Sequence, residues 1–140
     1  MTSVKARAVR KPRLLMTSQD METIESLMGR ASCSGAAGRL LEEELSQAVL
    51  VNESFSGRPF CRIGSWVTYE DLGSRQVRNI KLVLPVDADI DKRQVSVLSL
   101  VGASLLGLVA DTEFAWSDDN GRPHRLKVLH VGAEPHAPLE

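Results

Sequence analysis

The chain has 140 residues, 43% hydrophobic and 25% charged, with a formal net charge of −1. That balance is typical of a soluble globular protein with room for one ordinary core, or for a small core and a projecting element. The six aromatic residues, Phe55, Phe60, Trp66, Tyr69, Phe114 and Trp116, are too few and too scattered for an aromatic-lined ligand pocket, and they leave the core mainly aliphatic.

Charge is unevenly spread. Residues 1–13 carry Lys5, Arg7, Arg10, Lys11 and Arg13 without an acid, whereas the rest of the chain has 12 basic and 18 acidic residues. Such an arm can meet a polyanion, but the simpler expectation is a solvated, disordered tail. It is too short and too poorly amphipathic for a transit peptide. No secretory apolar stretch follows it, and no run reaches the ~18 apolar residues of a membrane span. The expected location is therefore cytoplasmic, where Cys33 and Cys61, without a C-x-x-C, are most simply free thiols.

The apolar run Leu14-Leu15-Met16 leads to Thr17, a good helix N-cap. Met21, Ile24, Leu27 and Met28 then share one helix face, Asp20 and Glu22 lie in the first turn, and Gly29 offers a stop. A small-residue loop leads to a second amphipathic helix expected from about Ala37 to Val51. Residues 14–53 thus read as an antiparallel helical hairpin of two helices, each about 11–15 residues and projecting roughly 16–22 Å.

Asn52 to Gly64 reads as a linker into a region, 54–132, of strand periodicity. Trp66–Leu72 and Gln76–Leu84 flank a Gly73-Ser74 turn, and Pro85 ends the second strand before the acidic loop Asp87-Ala88-Asp89. A third strand is expected at Val95–Ser99 and a short helix at Gly102–Gly107. Thr112–Ser117 and Arg125–Val131 form a closing hairpin around Asp118-Asp119-Asn120-Gly121. Residues 133–140, with two prolines, read as a frayed tail. The class is α+β, a short helical hairpin joined to an antiparallel sheet that wraps a short helix.

Chemistry-bearing motifs are missing. Neither a phosphate-cradling glycine loop nor a nucleophile elbow is present. His124 and His130 are expected on one side of a strand but about 20 Å apart at ~3.3 Å per residue, too far to share a metal. Glu42, Glu43 and Glu44 point in different directions on a helix, and Glu42 and Glu43 read as a solvated face. No catalytic residue, metal or cofactor is expected.

Ser65-Trp66-Val67-Thr68-Tyr69-Glu70-Asp71-Leu72, Asp87-Ala88-Asp89-Ile90, Val95 through Gly107 and Asp111 resemble, in order and spacing, the C-terminal domain of the GreA/GreB transcript cleavage factors. From about residue 14 to 131 the chain resembles the short-hairpin Rnk branch, the regulators of nucleoside diphosphate kinase. The resemblance implies an FKBP-like C-terminal domain that docks on the rim of the RNA polymerase secondary channel. The segment matching the docking loop is Ser99-Leu100-Val101-Gly102, with Asp87 and Asp89 as further candidates. Leu100 stands where the family usually has proline, and Ala110 where it usually has glycine. On physical grounds Leu100 and Val101 are candidate exposed apolar contacts, whereas Leu105 and Leu106 are core residues.

In the Gre factors, the resemblance further implies, a long coiled coil carries acidic residues to a catalytic metal. The tip here, Gly29 to Gly38, includes Arg30, Ser32, Cys33 and Ser34 but no Asp or Glu, and metal-assisted cleavage needs carboxylate oxygens. The implied function is a non-catalytic regulator that docks on core RNA polymerase, competes with Gre factors and does not stimulate transcript cleavage. The alternatives are direct contact with nucleoside diphosphate kinase, an FKBP-like peptide-binding or chaperone module, and nucleic-acid binding through the basic arm; direct nucleic-acid and membrane contacts are not expected.

Overall fold

A computed structural model describes residues 14–30, 35–52 and 57–135. The basic arm and the last residues of the tail lie outside them. The expected α+β class is observed: among the described residues, three α-helices accompany a two-stranded and a five-stranded sheet.

Strand β1 (Leu15–Thr17) runs directly into helix α1 (Ser18–Arg30), one residue beyond the Gly29 stop. Thr17 performs the expected capping, its Oγ1 accepting from Asp20 N at 3.1 Å, which satisfies one of the donors a helix start leaves open. Helix α2 (Gly35–Gln47) follows. It does not reach Val51 as its periodicity suggests. Val49–Val51 instead forms strand β2, pairing parallel with β1 in the register Leu15↔Val49, Met16↔Leu50 and Thr17↔Val51. Two of its three residues are β-branched and suit an extended ladder. A parallel pair needs a long crossover, and here the helical hairpin is that crossover.

The stretch expected as a linker is bound tightly where it is described. Phe60 bridges Val109, Cys61 N donates to Leu108 O, and Gly107 N donates to Cys61 O, both at 2.9 Å. Leu14 bridges Leu108, and Leu15 N donates to Gly107 O at 3.0 Å. A short central segment thus receives strands from two distant parts of the chain, and Phe60 and Cys61 are buried because of it.

The five-stranded sheet comprises β3 (Trp66–Asp71), β4 (Gln76–Val83), β5 (Gln94–Ser96), β6 (Glu113–Ser117) and β7 (Pro123–Gly132), in the order β5-β4-β3-β7-β6. The sheet is not wholly antiparallel as expected. β5 pairs parallel to β4, with Lys81↔Gln94 and Val83↔Ser96. The connection between them is not a tight hairpin but two 3-10 turns, Pro85–Asp87 and Ile90–Lys92, which carry the chain back before it re-enters the sheet. β5 is also shorter than the expected Val95–Ser99, because Ser99 becomes the cap of helix α3 (Leu100–Leu105). That helix begins two residues before the expected Gly102.

One core joins hairpin and sheet. Ile24 and Leu41 from the helices are fully buried in a cluster with Val67, Leu82, Leu105 and Val128. Burying each such side chain contributes roughly 1.5–3 kcal/mol. This shared burial is what stabilises helices too short to persist alone in water.

Candidate docking surface

The acidic turn and the start of α3 lie in contact with the same short strand. β5 packs against both 3-10 turns and against α3. The sequence candidates therefore form one connected region, but their roles divide.

Ser99 and Gly102 build the turn. Ser99 Oγ accepts from Gly102 N at 3.1 Å and donates to Ser96 O at 2.7 Å. Gly102 is buried, and a Cβ there would sit 2.0 Å from Ser96 O and 2.9 Å from Val97 Cα. The close approach that glycine permits is thus an absolute steric demand against backbone. Leu100 and Val101, the expected exposed contacts, are half-buried and pack against the core. Leu105 and Leu106 are core residues, as expected.

Asp87 is exposed. Asp89 is half-buried and engaged: its carboxylate accepts from Asp91 N at 3.0 Å, and its backbone exchanges two 2.9 Å hydrogen bonds with Gln94. The adjacent apolar residues were missed by sequence reasoning. Val86 is 85% exposed on the first 3-10 turn, and Ile90 is 88% exposed on the second, which these bonds hold in place. Their signal was available as two aliphatic residues embedded in an acidic, proline-led loop, where no strand or helix face would bury them.

The hairpin tip contributes less to a description. Arg30 ends α1, while Ser32, Cys33 and Ser34 lie outside the described residues. Glu42 and Glu43 are exposed, in keeping with a solvated face, but Glu44 is buried. Asp20, read from the sequence only as a helix-start acid, also binds across the fold. Its Oδ2 accepts from Ile63 N at 3.3 Å and lies 3.5 Å from Arg62 Nε.

A cleft of about 450 Å³ opens beside that loop, lined by Arg58, Phe60, Arg62 and Gly132 among others. Both guanidiniums face carboxylates of the chain itself, Arg58 at 3.5 Å from Asp111 and Arg62 at 3.5 Å from Asp20. Among the described residues the cleft therefore offers no uncompensated positive charge to an anion. Cys61 is buried.

The two strand histidines do not share a side as expected. A bulge between Thr68 and Tyr69 shifts the register, so that Tyr69 pairs with Val128 but Thr68 pairs with His130. An extra residue reverses the alternation. His124 stays on the face of Leu126 and Val128, stacked on Trp116 with ring centroids 5.3 Å apart, and His130 turns to the other. His124 Nε2 lies 2.9 Å from Asp118 Oδ2. That bond, with backbone donors from Arg122 and Asn120, holds the Asp118 carboxyl below its ordinary range. Among the described residues no group of three or more His, Cys, Asp or Glu side chains could hold a metal ion, and no helix is long and apolar enough to cross a membrane.

Residues 59–133 match the family model described as "Transcription elongation factor, GreA/GreB, C-term". The chain belongs to this family. It is also similar to the regulator of nucleoside diphosphate kinase of Escherichia coli K12, 27% identical over 91% of this chain and 94% of that protein. Transcription elongation factor GreA of Thermotoga neapolitana is 29% identical over 66% of this chain and 57% of its own length. Among solved structures, the GreA/GreB elongation factor of Nitrosomonas europaea is 29% identical, covers 87% of this chain and 99% of its own, and superposes with a TM-score of 0.68. The family resemblance read from the strands, acidic loop and glycine-bracketed helix is thereby established, and the chain's relatives are transcription factors and a regulator.

Proposed function

We propose that the chain is a regulator that docks on core RNA polymerase at the rim of the secondary channel, without stimulating transcript cleavage. The observation that carries this reading is the family match over residues 59–133, which contains the entire β4–β5–α3 region. In it Asp87 supplies exposed charge, Ser99 and Gly102 hold the loop, and Leu100 and Val101 present their accessible edges. Asp89 acts by shaping the acidic turn through its bonds to Asp91 and Gln94. The curled sheet with α3 against its β5 side supports reading this half as FKBP-like.

The non-catalytic part of the proposal rests on the hairpin. The sequence from Gly29 to Gly38 offers no carboxylate, and the nearest acids on α2 are the exposed Glu42 and Glu43. Coulombic help to a metal falls quickly with distance in a wet channel.

Binding to immobilised core RNA polymerase, with and without a Gre factor, tests the docking. Retention that the Gre factor displaces is expected, together with no added transcript cleavage in a backtracked complex at saturating protein. Absence of binding, or binding that a Gre factor leaves untouched, refutes the docking, and stimulated cleavage refutes the non-catalytic reading.

The similarity to a regulator of nucleoside diphosphate kinase over 91% of the chain favours a second reading, direct action on that enzyme. Adding the purified chain to purified nucleoside diphosphate kinase separates the two, because a polymerase-directed regulator leaves its turnover unchanged.

A further inference from the structure

The turn between β6 and β7 is built around one carboxylate. Asp118 Oδ1 accepts from Asn120 N and from Arg122 N, each at 2.9 Å, while its Oδ2 meets His124. Asp118 N also donates to Arg122 O at 3.0 Å, and Gly121, at φ +79°, closes the turn. Asp119 is thereby held at the apex of a rigid hairpin, and its side chain serves a different element.

Asp119 Oδ1 accepts from Ala36 N at 2.7 Å, across 83 residues of sequence. Arg39, one turn further along α2, places its guanidinium 3.9 Å from the same oxygen. The first residue of α2 is shaped to admit this carboxylate. Gly35 adopts φ +71°, and a Cβ on it would lie 2.8 Å from Asp119 Oδ1 and 3.0 Å from Oδ2. The first turn of α2 has no acid of its own. Asp119 therefore brings, from the far side of the fold, the acceptor and negative charge that a helix start favours.

Both ends of the hairpin are packed, the base through the fully buried Ile24 and Leu41 and the buried Asp20, the start of α2 through Ala36, 4% exposed, and the buried Gly38. At the tip-side end the ion pair is solvent-exposed, the Arg39 and Asp119 side chains being 70% and 67% accessible. Exposed charge contacts are weak individually, and a helix end frays more readily than its middle.

We propose that Asp119 is a positioning residue, a latch that fixes the tip-side end of α2 on the β6–β7 turn and so sets how the hairpin is presented to a docked partner. The clause about presentation rests on the polymerase reading; the latch itself does not. Opening it loosens the first turn of α2 while Ile24 and Leu41 stay in the core.

Amide hydrogen exchange on the full chain tests the latch without any partner. In Asp119→Ala the Ala36 and Ala37 amides are expected to exchange at least about 10-fold faster, the loss of one charge-assisted hydrogen bond. Val67 and Val128 amides should keep their rates. Asp119→Asn, which retains an acceptor oxygen, should recover most of the protection. Unchanged Ala36 exchange in Asp119→Ala overturns the latch, and so does an acceleration spread equally through β3 and β7, which would mark a general folding contact. The same variants, titrated onto core RNA polymerase, test presentation: several-fold weaker binding by Asp119→Ala, restored by Asp119→Asn, is expected. Equal affinity of all three forms overturns the presentation clause. If the unmodified chain does not bind polymerase at all, the docking reading falls while the exchange result still decides the latch.

Discussion

The segments on either side of β5 have nearly opposite characters. Before the strand, residues 84–93 turn twice in 3-10 geometry and leave Val86 and Ile90 almost fully in solvent. After it, Val97 to Val109 runs through the core, with Gly102 wedged against the Ser96 carbonyl and Leu105 wholly buried. Both segments carry the family resemblance, yet the resemblance means different things in the two. In the second it reports what the chain needs in order to fold. In the first it leaves side chains almost wholly in solvent, whereas in the second only edges such as those of Leu100 and Val101 stay accessible.

Substitutions can break or sharpen this division, and the steric one should have the largest effect. Gly102→Ala places a methyl 2.0 Å from a backbone oxygen, where no rotamer change can relieve it, and should destabilise the fold by about 4 kcal/mol. Chemical denaturation checks this, and a loss below about 1 kcal/mol would show that α3 can shift without cost. Ser99→Ala removes the cap on Gly102 N and the bond to Ser96 O. A loss of about 1 kcal/mol is expected by the same measurement. The smallest change belongs to the opposite segment. The pair Val86→Ser and Ile90→Ser should alter stability by less than about 0.5 kcal/mol, since both side chains already face water. A large fall in melting temperature in that double variant would mean that the turn is part of the core after all.

Much of the fold was legible before any coordinates. Thr17 as a cap, Ile24 and Leu41 as core positions, and the strand pairs around Gly73-Ser74 and Asp118–Gly121 follow from local signals, because capping, periodicity and turn chemistry act within a few residues. The family motif was legible for the same reason, being a string of local demands in a fixed order. The candidate site was read less well. Leu100 and Val101 looked exposed because a helix start shows no partner in sequence, and they are half-buried. The exposure of Val86 and Ile90 rests on the 3-10 geometry of an acidic, proline-led loop that gives them no strand or helix face to pack on.

The amino-acid sequence by itself determined the α+β class, the two amphipathic helices, the paired strands and the presence of a short helix at Gly102, all of which depend on neighbours no more than a turn or a hairpin away. Tertiary structure alone decided the rest. Val49–Val51 became a strand because Leu15–Thr17 was there to pair with it. β5 ran parallel because of the path its connection takes. One extra residue in β7 sent His130 to the face opposite His124. Asp20 and Asp119 acquired their roles from amides 43 and 83 residues away. A hydrogen bond reaches about 3 Å, and only the closed fold brings groups so distant in sequence within that range.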